Sequence, residues 1–302
     1  MIDQSAYIKP ETRDGFYVDS TRKKLWYTEL AIMDEIKRIC EKHGLHYFLI
    51  GGVSIGAMRH KGFIPWDDDL DIGMLRYDFD RFIEIAKSEL DKKYEVQYGI
   101  LGDIVTPLLR VRDGSTTGII RAERFSHENQ GIFVEIYPFD NVPDSKIAKK
   151  VQYFLSSVYS YVIHNRFFHF NKGGLKKIAI VLFRRLDSDE LWKRWEKLCK
   201  KYNNKKTKYV DTIMLTHYAK EGIHYFKTEN VTKTIEVPFE FTEMSIGVGN
   251  DECLRLQYGD YMQLPPIDKR GTHHNNTVFY DPDHPYSYWI EKEELSSYFE
   301  TK

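Results

Sequence analysis

Apolar positions recur every three or four residues across residues 21–43, where Leu25, Trp26, Leu30, Met33, Ile36, Ile39 and Cys40 form one stripe. That spacing predicts an amphipathic helix, started by Ser20 or Thr21 and stopped by Gly44. A short apolar run at 45–50 leads into Gly51-Gly52 and predicts a strand, followed by a short helix over 53–59. Residues 60–68 read as a loop held by Gly62 and Pro65. Strict alternation over 69–74 predicts a second strand, and Phe79, Phe82, Ile83 and Ala86 mark a second amphipathic helix over 77–90. Further strands are predicted at 94–101, 107–112 and 131–137, then helices at 146–168 and 189–202; from Thr207 onward the pattern is mixed.

The picture is α+β: a small mixed sheet with flanking helices and a helical addition. A turn-rich stretch at 141–145 suggests a catalytic core over 1–143 and a helical, basic substrate- or acceptor-binding region over 144–302. At 302 residues the chain can also be one domain. Hydrophobic residues at 42% and charged residues at 29% are ordinary for a globular protein. A net charge of -1 argues against a nucleic-acid binder.

Charge is unevenly distributed. Between Asp144 and Tyr209 the basic residues outnumber the acids by about a dozen. The pattern reads either as solvated helix faces or as a surface for an anionic membrane or polymer. Cys40, Cys199 and Cys253 are odd in number and far apart, so no disulfide framework is expected. With no apolar leader in the first fifteen residues, the expectation is a cytoplasmic protein, peripheral at the inner membrane face if the basic segment touches lipid.

The chemistry concentrates between Gly51 and Gly73. Asp67, Asp68, Asp69 and Asp71 crowd within five positions, and like charges this close call for a cation. On a strand, Asp69 and Asp71 point to one face while Leu70 and Ile72 point into a core. Hard oxygen ligands suit Mg²⁺ or Mn²⁺ and phosphate transfer. Glu135, in the apolar run from Ile132 to Ile136, is the candidate third carboxylate, or else a salt-bridge partner of an arginine. Gly51, Gly52 and Ser54 at a strand-to-helix turn can cradle a phosphate through backbone N–H groups. Arg59, Lys61, Arg110 and Arg112 are candidate phosphate contacts, and Trp66 and Asp68 adjoin the same loop. An EF-hand is excluded, because the sixth position from Asp67 is Ile72 rather than Gly and the twelfth is Asp78 rather than Glu. His273, beside His274 in the tail, is a candidate at the substrate mouth or plain surface.

The run Gly51-Gly52-Val53-Ser54-Ile55-Gly56-Ala57-Met58-Arg59-His60-Lys61-Gly62-Phe63-Ile64-Pro65-Trp66-Asp67-Asp68-Asp69-Leu70-Asp71-Ile72-Gly73 resembles the LicD family of the nucleotidyltransferase superfamily. Two further segments support the resemblance: Phe133 to Asp140, and Tyr258-Gly259-Asp260-Tyr261 followed by Pro265-Pro266. The resemblance implies a nucleotidyltransferase-like core. It also implies transfer of phosphocholine, or a similar group, from a CDP-linked donor such as CDP-choline to a glycan or teichoic-acid precursor, free or lipid-linked. Asp69, Asp71 and Glu135 would hold the metal, and Trp66, Tyr137 or Phe139 would face a choline head. Val53 stands where the family usually has Thr, and Glu135 where it usually has Asp. Another nucleotidyltransferase chemistry, moving the nucleotide itself, and a non-catalytic binding protein are the alternatives.

Overall fold

A computed structural model gives the fold over residues 4–168, 180–215, 225–271 and 278–300. A turn of helix, α1 (Gln4–Tyr7), and a hairpin, β1 (Glu11–Arg13) and β2 (Phe16–Val18), precede the long helix α2 (Ser20–His43). Next come β3 (Phe48–Leu49), α3 (Gly51–Arg59), β4 (Asp71–Leu75) and α4 (Arg76–Glu89). The strands β5 (Tyr94–Leu101), β6 (Ile104–Asp113), β7 (Thr117–Ile120) and β8 (Ile132–Val142) lead to the helices α5 (Lys146–Phe168) and α6 (Ser188–Cys199). The remaining elements are β9 (Tyr209–Asp211), β10 (Phe226–Lys227), α7 (Thr228–Val231), β11 (Thr234–Phe239), β12 (Thr242–Gly247), α8 (Asn250–Tyr258), β13 (Val278–Asp281) and α9 (Glu293–Glu300).

The eleven residues of β8 serve three neighbours. Their middle pairs in parallel with β4, matching Asp71 to Glu135 and Leu75 to Phe139. Their first half pairs antiparallel with β6, matching Arg110 to Glu135. Their last three residues pair with β9, which carries β10 at the edge. The result is the mixed sheet that the α+β reading anticipates. β9 and β10 join this sheet and β13 pairs with β7, so strand pairing crosses residue 143 twice.

Amphipathic helices cover the sheet. α2 buries Leu25, Trp26, Leu30, Met33, Ile36 and Ile39, all at 4% exposure or less, against β-strand residues such as Ile72, Val111, Val134 and Ile136. Its first turn is capped by Asp19, one residue ahead of the expected Ser20, and Gly44 closes it in the left-handed region at φ 62. α5 and α6 build a second apolar layer around Trp192, Trp195 and Val162. Gly73 lies in β4 between two rings: a Cβ there would overlap Phe48 and Phe139. Among the described residues no helix is long and apolar enough to cross a membrane.

Candidate active site: an acidic turn at the start of a glycine helix

The site forms where α3 begins beside the loop into β4. Gly51 takes a positive φ of 59, which its lack of a side chain permits, and α3 starts without a side-chain cap. A Cβ at Gly52 would collide with the Asp67 carboxylate, so the loop and the helix start meet at van der Waals distance. The positive end of the helix therefore abuts the acids. Oxygens of Asp67, Asp68 and Asp69 lie within 4.8 Å of one another. A hard divalent cation fits this all-carboxylate donor set.

Asp71 begins β4, whereas Asp69 precedes the strand; the expected strand over 69–74 starts two residues late. The intervening Leu70 carbonyl accepts the Glu135 N–H at 3.2 Å, which ties the acidic turn to β8. Burial pushes the Asp71 carboxyl well above its ordinary range, and the charges of Asp69, Glu135 and Asp67 push it further. These four acids share one field. The Tyr137 hydroxyl donates to Asp71 Oδ2 at 3.3 Å.

Glu135 sits beside Asp71 in register, but its Oε1 accepts from Arg110 Nε at 2.8 Å. Arg110 in turn donates to Glu123 at 2.9 Å. The oxygens that converge most closely are thus those of Asp67, Asp68 and Asp69, rather than those of Asp69, Asp71 and Glu135. Arg110 orients the third carboxylate and reaches into the site through it.

Several expected ligand contacts are corrected. Ser54 is fully buried and its hydroxyl donates to Asn250 Oδ1 at 2.7 Å, fastening α3 to α8 instead of facing a phosphate. Arg112 is also fully buried. It donates to Gln97 at 2.6 Å and to the carbonyls of Gly118 and Gly131 at 3.1 and 2.8 Å, bracing strands rather than lining a cleft. Arg59 spends one nitrogen on the Tyr261 and Gln263 carbonyls, at 2.6 and 3.3 Å. The Trp66 indole is buried among Ile55, Ile64 and Leu254, with Arg270 over its ring at 5.3 Å, so it packs and does not present a face to a ligand. Phe139 is likewise core. Lys61 is exposed, at a positive φ of 53, and its carbonyl accepts from Glu240. Asp68 is 2% exposed within the turn. His273 lies outside the described residues.

Residues beyond the expected site contacts surround the acids; of these, Tyr258 entered the sequence reading only through the Tyr258–Tyr261 segment. The Tyr258 hydroxyl lies beside Gly51, and its pKa is pushed up to about 12 by burial and by Asp71, Asp67 and Asp69. Tyr280 of β13 is raised by burial and then by Asp68, Glu29 and Asp69. Glu29 of α2 is 1% exposed and raised by burial and then by Asp69, Asp68 and Asp67. A signal for Glu29 existed: it is a charged residue on the apolar stripe of a helix. Tyr280 had none, since its place depends on the pairing of β13 with β7.

Residues 44–187 match the family described as LicD/FKTN/FKRP, nucleotidyltransferase domain. The chain is 29% identical over 255 residues to the lipopolysaccharide cholinephosphotransferase LicD of Haemophilus influenzae, covering 81% of this chain and 92% of that protein. It is 29% identical over 101 residues to the ribitol 5-phosphate transferase FKRP of Mus musculus, covering 33% of this chain and 18% of that protein. An uncharacterised protein of Rickettsia typhi is 33% identical over 67 residues, 22% of each chain. The glycine helix start, the acidic turn and strands β3, β4, β5, β6 and β8 of the mixed sheet fall within the matched span, so the part of the chain that carries the candidate site is similar to the LicD/FKTN/FKRP nucleotidyltransferase domain.

Proposed function

We propose that this protein moves phosphocholine, or a closely similar phospho-substituent, from a CDP-linked donor to a hydroxyl of a cell-surface glycan or teichoic-acid precursor. The observation that carries this reading is the convergence of Asp67, Asp68 and Asp69 against the glycine start of α3, with Asp71 and Glu135 next in line. The likeness to the Haemophilus influenzae cholinephosphotransferase supports the choice of group.

Asp69 and Asp71 are the proposed holders of Mg²⁺ or Mn²⁺, with Asp67 and Asp68, whose oxygens gather with that of Asp69 within 4.8 Å, in place of the Arg110-paired Glu135. When bound, such an ion draws negative charge off phosphate oxygens. The uncapped first turn of α3 offers N–H groups at Gly51 and Gly52 to the donor pyrophosphate. The acceptor hydroxyl forms an O–P bond to the phosphorus bearing the choline as the bond to CMP breaks. Glu135, oriented by Arg110, takes the hydroxyl proton. Tyr137, Tyr258 and Tyr280 supply aromatic faces beside the acids for a quaternary ammonium.

The place of action is proposed to be the cytoplasm, at the inner membrane face. The support is a stripe of exposed apolar residues on α5 (Ile147, Val151 and Phe154) flanked by Lys146 and Lys150. That surface suits a lipid-linked acceptor.

The test incubates the protein with Mg²⁺ and, separately, CDP-choline, CDP-ribitol and CTP, together with a glycan acceptor. CMP release with labelled phosphocholine on the acceptor is expected. CMP release from CDP-ribitol alone would move the reading to a polyol phosphate, which the similarity to the mouse ribitol 5-phosphate transferase favours as second choice. Pyrophosphate release from CTP would overturn the reading in favour of nucleotide transfer.

A further inference from the structure

Eight lysines and arginines and a single acid, Glu196, occupy the chain from Lys193 to Lys208. Lys193, Lys197 and Lys201 recur every fourth residue from α6 into the turn Lys200–Tyr202, one row with a rise of about 6 Å between members. All three are exposed, and like charges at that spacing repel along a helix. The nearby acids are already taken: Glu190 pairs with Arg194 at 2.6 Å, and Glu196 with Lys200 at 3.0 Å. Among the described residues no ion pair takes up Lys193, Lys197, Lys206 or Lys208.

These cations line two hollows rather than a flat face. An open groove of about 920 Å³ is bordered by Tyr159, Lys193, Arg194, Lys197, Lys200 and Lys201. A second, of about 640 Å³, is bordered by Lys205, Lys206, Lys208 and Thr228, with Lys227 held to Glu252 at 2.8 Å. The grooves meet at Tyr202: Lys201 of the first and Lys205 of the second each hold an ammonium group 5.5 Å from the centre of its ring. The connecting backbone is fastened to β8. Asn203 Oδ1 accepts the Asn141 N–H at 2.7 Å, and Asn141 Nδ2 donates to the Lys205 carbonyl at 2.6 Å. One basic track thus runs from α6 to the edge of β9. Leu75, which borders the second groove, closes β4 at the end opposite Asp71, about 13 Å along the strand from the acids.

The side chains of the track select its occupant. Between residues 188 and 208 no large apolar side chain is exposed, in contrast to the stripe on α5, so nothing here would enter a bilayer. Its rings are not free to stack on bases: Tyr202 carries two lysines, and Tyr209 stacks on Tyr225 at 4.3 Å. Regular cations along a concave polar path match a flexible chain with regular negative charges. We propose that this track is an exosite for a linear phosphodiester-linked chain of sugars or polyols, gripped away from the reacting hydroxyl. The inference deepens the transfer reading, on which it rests for the chain's role as acceptor; the grip itself needs neither donor nor metal. Each further repeat that reaches the track adds to the affinity, so a long chain binds more tightly than a short one.

Long-chain inorganic polyphosphate is the probe, titrated by calorimetry into the full chain between about 50 and 200 mM salt. Inorganic phosphate is expected to bind at least about tenfold more weakly. Lys193→Gln/Lys197→Gln/Lys201→Gln and, separately, Lys206→Gln/Lys208→Gln alter exposed positions only, and circular dichroism checks their fold. Each set is expected to weaken polyphosphate binding at least about tenfold and to lower the slope of log affinity against log salt by about 0.7 per lysine removed. Binding to phosphatidylglycerol vesicles and transfer to a short soluble acceptor are expected to stay within about twofold of wild type. Unchanged polyphosphate affinity and slope in the folded variants overturns the inference. So does loss of vesicle binding in its place, which marks a membrane face, or tighter binding of a single-stranded oligonucleotide of equal charge, which marks a nucleic-acid surface. Polyphosphate binding that follows these lysines in a protein unable to transfer phosphocholine overturns the proposed function and leaves the exosite standing.

Discussion

Asp71 carries the conflict that defines the site. Burial and three neighbouring acids raise its carboxyl well above the ordinary range. The folded protein therefore holds a proton that the unfolded chain releases above about pH 4, and in the metal-free state stability falls as pH rises through that window. Asp71→Asn removes the charge without changing the shape. In EDTA at pH 8 it is expected to raise Tm by about 2–4 °C, for about 1 kcal/mol relieved, and to flatten the decline between pH 5 and pH 8. Transfer activity in Mg²⁺ is expected below about 1% of wild type. A lowered Tm, or activity within a few fold of wild type, would remove Asp71 from the centre. The acids and the two glycines were legible because they are consecutive and their chemistry is local. Ser54 was read as a ligand contact because its partner is not local: it meets Asn250, 196 positions away. Arg112 was read so because strand alternation does not reveal that it is fully buried between neighbouring strands.

Elements transmit this order through β8. Its middle positions Glu135 beside Asp71, and its end holds Asp140, which takes Arg76 of α4 in a two-pronged pair at 2.9 and 2.7 Å. Asn203 adds a third bond to Asp140 at 2.6 Å, so β8, α4 and the segment after α6 meet at one buried carboxylate. Asp140→Ala leaves a 4%-exposed guanidinium without its principal counterion. The expected cost is about 3–5 kcal/mol, read as a loss of ΔG in urea unfolding, with Asp140→Leu/Arg76→Met recovering much of it. A cost below about 1 kcal/mol for the single change would show that the pair does not join these elements. The periodic elements, α2, α4, β5 and α5, were readable to within a residue or two because their burial follows their own sequence spacing. The apolar run at 45–50 announced β3, which shortens to Phe48–Leu49, whereas the two-residue β10 and the pairing of β13 with β7 have no such signature; they exist because distant partners complete them.

At the scale of the whole molecule a net charge of -1 conceals a division of labour. The acids gather at the β4 end of the sheet, while lysines and arginines line the helical stretch after residue 144. On α5 the exposed Ile147, Val151 and Phe154 fall at spacings of four and three, so they form one stripe, with Phe154 64% exposed and Ile147 77% exposed. This stripe is the surface on which the proposed membrane contact would seat. In the proposed membrane contact the flanking Lys146 and Lys150 would favour an anionic surface over a neutral one, each by about 1 kcal/mol. Vesicles of phosphatidylglycerol mixed with phosphatidylcholine are therefore expected to sediment the protein at low salt, pure phosphatidylcholine to do so weakly, and about 0.5 M salt to release much of the bound fraction by screening. Phe154→Asp is expected to weaken binding at least about tenfold, because it removes apolar contact and adds a repelled charge, while leaving transfer to a soluble acceptor intact. Equal binding of that variant, or equal affinity for neutral vesicles, would assign the basic segment to plain solvated surface. Retained soluble activity would then place catalysis at the acidic turn, the start of α3 and the sheet.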